Sequence, residues 1–218
     1  MTLYRFLSDI EEIIIIVVLI IGIIRYKNLS KELHYVLYFV GLGAITELFL
    51  DFYKPYLFKN TMPVGHVYIP LSIIIIGFFY IRILSGFINT KLIRLLLFAY
   101  IGFAFVNPFF IQSIWQFPNI IGASGAIMLV IFSILFFSKI LTEAKVQKLK
   151  KEPLIWLNSI FLFYYSGSFF YYILYNISVN YSNEFARFIV LLNLILVILL
   201  YVMIAFVFLM KGKHLPNQ

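Results

Sequence analysis

The sequence predicts an all-α integral membrane protein, a seven-transmembrane helix bundle with its N-terminus outside and its C-terminus inside. Three observations predict it. The first is composition: 63% of the 218 residues are hydrophobic and 12% are charged, against about 45–50% and about 25% in an ordinary soluble domain. So few charges do not cover the surface of a soluble fold of this size, and disorder needs the opposite composition. The second is a division into seven apolar runs, each near the roughly 20 residues that cross a bilayer as a helix. The third is a lopsided distribution of lysine and arginine along the loops.

The runs cover residues 10–24, 34–53, 65–81, 92–111, 119–137, 154–175 and 185–210. They form one membrane domain over residues 1–218 with no room for a separate soluble one. The first run has Glu11 and Glu12 at its start and Arg25 and Lys27 after it. A cleaved leader carries its positive charge ahead of the apolar stretch, so this run reads as an uncleaved first helix. The second run contains Glu47 and Asp51, and the third opens at Gly65-His66. The fourth contains Asn107-Pro108, an X-Pro step that removes a backbone hydrogen bond and frees a carbonyl. The fifth leads into a basic stretch holding Lys145, Lys148, Lys150 and Lys151. Pro153 then starts the sixth run at a position that proline tolerates, and Trp156 fits an interfacial anchor. The seventh opens near Arg187 and ends before Lys211 and Lys213.

The net charge is +8. In a soluble protein such a balance points to nucleic acid; here it is the lysine and arginine that hold loops on the cytoplasmic side, and no nucleic-acid partner is expected. The loops after runs one, three and five, with the tail, carry 13 of the 17 basic residues, while Arg5, Lys54, Lys59 and Arg187 lie on the other side. An even number of crossings puts the basic tail outside, so the charge pattern supports an odd count independently of hydropathy. Lys145, Lys148, Lys150 and Lys151 are candidates for anionic headgroups at the inner face, each worth about 1 kcal/mol, or for docking a separate cytoplasmic signalling partner. Richness in Ile, Phe, Tyr, Lys and Asn suits an AT-rich bacterial genome, so the expected location is a bacterial inner membrane.

Ionisable groups in hydrocarbon are costly and mark function by default. Two stand out, Glu47 and Asp51, both in the second run. They are four residues apart and share a helix face. With the second helix centred near Ala44, Glu47 lies about 4–5 Å outward of the middle and Asp51 about 10 Å outward. Polar groups on other runs fall in the same half: His66, Asn107, Arg187, Asn193, and Ser166, Ser168, Tyr171, Tyr172 and Tyr175 on the sixth. The inner halves are mostly aliphatic. The expectation is an outward-facing polar cavity built by helices two, three, four, six and seven, closed inside by apolar packing. Its candidate ligand-binding residues are Glu47, Asp51, His66, Asn107, Ser166, Tyr171, Arg187 and Asn193. Ser166-Gly167-Ser168 also fits a close-packing surface, and two glycosylation-type acceptor patterns, Asn176-Ile-Ser178 and Asn180-Tyr-Ser182, fall in a predicted outside loop.

Several chemistries are set aside. The chain has no cysteine, hence no disulfide framework, thiolate metal site or cysteine nucleophile. Its three histidines, His34, His66 and His214, stand apart, which argues against an intramembrane zinc hydrolase. A retinal protein needs a lysine midway along helix seven, and Lys211 is at its end. No glycine-rich phosphate loop occurs. No catalytic set, metal or cofactor is therefore expected.

Thr46-Glu47-Leu48, Pro153-x-x-Trp156, Ser166-Gly167-Ser168 and Asn193 together resemble a loose group of small bacterial seven-helix membrane proteins without assigned activity. The resemblance spans most of the chain and implies no catalytic role. Some such proteins serve as membrane sensing modules of kinases; with eight residues after Met210, output here is expected to pass through a separate chain. Three functions remain open at this stage. The first is a non-enzymatic sensor- or receptor-like protein binding a small molecule or lipid in the outward cavity. The second is a small-molecule or ion-coupled transporter using Glu47. The third is an intramembrane lipid enzyme using Glu47 and Asp51 as acid and base.

Overall fold

The computed structural model describes residues 3–53, 60–143 and 151–210. It is all-helical: α1 (Leu3–Ile24), α2 (Lys31–Tyr53), α3 (Met62–Ile83), α4 (Thr90–Phe110), α5 (Asn119–Glu143), α6 (Pro153–Tyr181) and α7 (Asn183–Leu209), with a 3-10 turn at Tyr26–Asn28. Five of them, α2, α3, α4, α5 and α7, are long and apolar enough to cross a membrane by length and composition. The other two fall short for legible reasons. Asp9, Glu11 and Glu12 interrupt α1, and α6 carries six tyrosines, four serines and three asparagines.

Local chemistry sets several boundaries. The Asn89 side chain accepts from Lys91 N at 3.0 Å and starts α4. Pro153 occupies the first turn of α6, where its missing N–H costs nothing. Between α6 and α7 stands one residue, Ser182. It is extended (φ −163°, ψ 150°), and its hydroxyl accepts from Phe185 N at 3.0 Å, satisfying an amide that a helix start leaves without a partner. The predicted outside loop of residues 176–184 is thus mostly helix, and Asn176 and Asn180 lie in the last turns of α6.

Six helices form a ring. α1 packs on α2, α2 on α3, α3 on α5, α5 on α6, α6 on α7, and α7 back on α1. α4 stands outside it, against α3 and α5. Its outer face presents Phe98, Phe105, Phe109 and Phe110, each at least two-thirds exposed. Contiguous apolar surface of this kind is rare on soluble monomers and fits a lipid-facing wall.

One end of the bundle gathers basic residues. Arg25, Lys27, Lys31, Arg82, Lys91, Arg94, Lys139 and Lys151 lie there among the described residues, against Arg5 and Arg187 at the other end. Lys139 Nζ donates to Ile83 O and Ser85 O, both at 2.9 Å, covering carbonyls that the end of α3 leaves open. Arg82 pairs with Glu32 at 3.1 Å.

Towards this basic end the ring is filled. Phe79, Tyr80, Phe132 and Phe161 pack ring on ring with centroids 5.2–6.5 Å apart. Within them sits a buried polar triad. Tyr80 Oη donates to Asn158 Oδ1 at 2.8 Å and lies 2.5 Å from Ser133 Oγ, while Asn158 Nδ2 donates to Ser133 O at 3.1 Å. A tyrosine has one hydroxyl proton. With that proton on Asn158, Ser133 is the donor to Tyr80. The triad ties α3, α5 and α6 together.

Candidate functional site

At the opposite end the ring stays open. A cavity of about 980 Å³ lies among α1, α2, α3, α6 and α7, with Phe117 and Pro118 of the α4–α5 connection on its rim. This is within the size range of small-molecule sites. Among the described residues its charged lining is Glu11, Glu47 and Arg187; its polar lining includes Thr46, Asn183 and Asn193; its aromatic lining includes Tyr68, Tyr164, Tyr171, Tyr172, Tyr175 and Tyr201.

The floor is set by Gly43. A Cβ there lies 2.6 Å from Tyr201 Oη, 2.7 Å from Ile15 Cδ1 and 3.7 Å from Tyr68 Oη. The missing side chain is the space into which the two tyrosine hydroxyls reach. Glu47 is one turn after Gly43 on α2, and Glu11 is one turn before Ile15 on α1. Residues four apart share a helix face, and the two helices run in opposite directions. Both carboxylates therefore stand at one height, roughly 6 Å above the floor at 1.5 Å per residue. They are close enough to feel each other's charge. Tyr68, Tyr164 and Tyr201 lie near Glu11 from three other helices. Arg187 is much higher. It precedes Tyr201 by fourteen residues on α7, which is about 21 Å, and it is exposed.

The upper wall is aromatic. Phe117 packs against three tyrosines of α6, with centroids 5.4 Å from Tyr171, 5.8 Å from Tyr172 and 4.0 Å from Tyr175. The segment that carries Phe117 is pinned on both sides. His66 Nε2 is 3.0 Å from Gln116 O, Asn60 Nδ2 donates to Trp115 O at 3.0 Å, and Gln112 Nε2 donates to Phe117 O at 2.7 Å. Behind this wall Tyr172 lies flat over Gly122 of α5, with ring carbons 2.5 Å from where a Cβ belongs.

Comparison with protein-family models, curated proteins and solved structures finds no match to this chain. The geometry is therefore the guide to function.

Of the residues read from the sequence as ligand-binding, Glu47, Tyr171, Arg187 and Asn193 line the cavity. Asp51, one turn beyond Glu47, is exposed instead. His66 is buried and holds the α4–α5 connection. Asn107 is fully buried on α4, and its carbonyl accepts from Ile111 N and Gln112 N, both at 2.9 Å. α4 lies outside the ring, so its X-Pro step does not reach the lumen. Ser166 is half-buried beside Gly167, on which Leu196 of α7 seats. Among the basic residues, Lys151 is exposed at the basic end; Lys145, Lys148 and Lys150 lie outside the described residues.

The set of walls also differs from expectation, with α1 taking the place expected for α4. The apolar run begins at Ile10, which made Glu11 read as a flanking charge. The helix begins at Leu3 instead, and this sets Glu11 about 12 Å along it. Glu47 thus has its carboxylate companion on α1, not at Asp51. The readable signal was Gly43, one turn from Glu47, in a stretch of small residues that also holds Gly41 and Ala44.

Proposed function

We propose that this protein spans a bacterial inner membrane seven times, with the basic end inside, and binds a small molecule or lipid in a vestibule open to the outside. It acts as a non-enzymatic, sensor- or receptor-like module. Three features support the topology. The bundle has seven helices, its basic residues gather at one end as the positive-inside rule requires, and apolar side chains cover its outer face. The two helices with too many polar groups to stand alone as spans, α1 and α6, are walls of the cavity. Polar residues in a span are tolerated when they face an interior or a water-filled space.

The observation that carries the binding reading is the one-ended lumen. A cavity of about 980 Å³ holds both carboxylates at one end, and buried aromatic rings with the Tyr80–Ser133–Asn158 triad fill the other. A transporter coupled through Glu47 has to open that packed region during each cycle, so the vestibule is the simpler use of this arrangement. An acid–base pair of Glu47 and Asp51 finds little support, since Asp51 is exposed away from the lining. In this reading the lysines near Lys151 hold the inner face against anionic headgroups or a signalling partner.

The test is purification in a mild detergent followed by native mass spectrometry. A small molecule or lipid retained by the wild type and lost from Tyr172→Ala is expected. Wild-type protein that carries nothing, together with equal flux of candidate solutes through wild-type and Glu47→Gln proteoliposomes, refutes both the vestibule and the coupled transporter.

A further inference from the structure

We infer that the vestibule selects an organic ammonium cation, a protonated amine or quaternary ammonium with an apolar body. The inference rests on the cavity being a binding site and names the chemistry of its ligand. Glu11 and Glu47 line the lumen from two helices at the same height, so two carboxyl groups offer acceptor oxygens to one ligand there. Tyr164, Tyr171 and Tyr172 of α6 line the same lumen, and Tyr68 and Tyr201 reach its floor at Gly43. Aromatic faces attract cations and hold alkylated ammonium groups in preference to compact hydrated ions. Among the described residues no group of three or more His, Asp or Glu gathers, so the donor set is poor for a divalent metal.

By helix rise the Arg187 backbone stands about 15 Å along the bundle from the level of the carboxylates, so the basic group lies towards the mouth of the lumen and the acids towards its floor. The cavity also has far more volume than a small ammonium fills, and its remaining lining includes Ile69, Val190, Val197 and Leu200. These surfaces suit an apolar substituent.

Thermal stability and calorimetric titration in maltoside micelles test the inference. The probes are choline, benzyltrimethylammonium, a short-chain phosphocholine lipid, and the uncharged carbon isostere of choline. Both ammonium salts are expected to bind, benzyltrimethylammonium more tightly, and the isostere to leave the melting midpoint unmoved. Glu11→Gln and Glu47→Gln each weaken binding about tenfold or more, the scale of a charged hydrogen bond. Tyr164→Phe keeps the ring face and the affinity; Tyr164→Leu loses roughly threefold to thirtyfold. Phe105→Leu, on α4 outside the ring, leaves binding of both ammonium probes unaffected.

Tighter binding of the phosphocholine lipid than of benzyltrimethylammonium identifies a lipid headgroup as the source of the ammonium; the reverse identifies a free amine. Should the carboxylate variants fail to fold, the Phe and Leu pair at Tyr164 still decides. Equal binding of the uncharged isostere, or a shift produced by sodium chloride alone, overturns the ammonium inference and leaves the vestibule intact. Absence of any shift with either ammonium salt also overturns it; a molecule still found by native mass spectrometry keeps the binding reading alive.

Discussion

Tyr80→Phe removes one oxygen from the packed end of the bundle, and its cost can be worked from the triad. The deletion takes the donor from Asn158 Oδ1 and the acceptor from Ser133 Oγ. Asn158 and Ser133 are both fully buried, so water does not replace the lost partner. A buried polar group left without its partner costs about 1–3 kcal/mol. Side-chain hydrogen bonds in membrane bundles measure lower, about 0.6 kcal/mol on average and about 1.7 at most. Ser133 has an escape, since a helical serine can turn to the carbonyl one turn back; Asn158 Oδ1 has none. The expected loss is therefore about 1–2.5 kcal/mol, one unsatisfied acceptor plus a weakened serine. Asn158→Leu should cost a similar amount. The double variant should fall short of the sum by about 0.6–1.7 kcal/mol, the coupling of the direct bond. Equilibrium unfolding in mixed micelles, followed by helical circular dichroism, reads all three. Exposed Tyr181→Phe serves as the neutral control. A Tyr80→Phe protein as stable as wild type, or strict additivity in the double variant, refutes the triad as a connected network.

Further outcomes follow from the same structure. Gly43→Ala places a Cβ against Tyr201 Oη and Ile15 Cδ1 and should destabilise by about 1–3 kcal/mol as an overpacked site. Gly102→Ala meets nothing within 4 Å and should be neutral or stabilising by up to about 1 kcal/mol through helix propensity; equal melting midpoints for the two variants contradict the close approach at Gly43. Lys139→Met strips Ile83 O and Ser85 O of their shared donor and should cost about 1–2 kcal/mol, with faster amide exchange confined to the last turn of α3. The native chain lacks cysteine, so single cysteines introduced at Asn28, Gly86 and Ser182 report topology directly. An impermeant maleimide applied to intact cells should label Ser182→Cys alone; labelling at Asn28→Cys or Gly86→Cys reverses the proposed orientation.

Hydropathy and charge made the helix count and the two unlike ends legible, because burial in lipid demands runs of about 20 apolar residues and leaves few alternatives. Glu47's place on the cavity lining was legible for the same reason, because a carboxylate in a span is costly unless it faces the interior. Glu11 was not, because an acid near the end of an apolar run looks like a solvated flank until the helix is seen to begin at Leu3. The failure at Asp51 is one of depth. A shared helix face says which way two side chains point, but not where the lumen ends. Asn107 misled through topology: depth along a helix can be read from sequence, whereas membership of the ring cannot, and α4 stands outside it. The Tyr80–Ser133–Asn158 triad left no signal, since its members are scattered over three helices and none is ionisable.

The ring is closed by α1 and α7, helices from opposite ends of the sequence. This has a consequence for how the protein is made. α1 carries Asp9, Glu11 and Glu12 and reaches the membrane first, yet the helix that completes its wall is translated last. Until α7 arrives, the lumen is an open trough with one carboxylate wall lacking its neighbour. An intermediate lacking α7 therefore has a lumen open along one side. If the vestibule binds a ligand as proposed, its full wall, with Asn193, Val197 and Tyr201 of α7, is available only after α7 has docked.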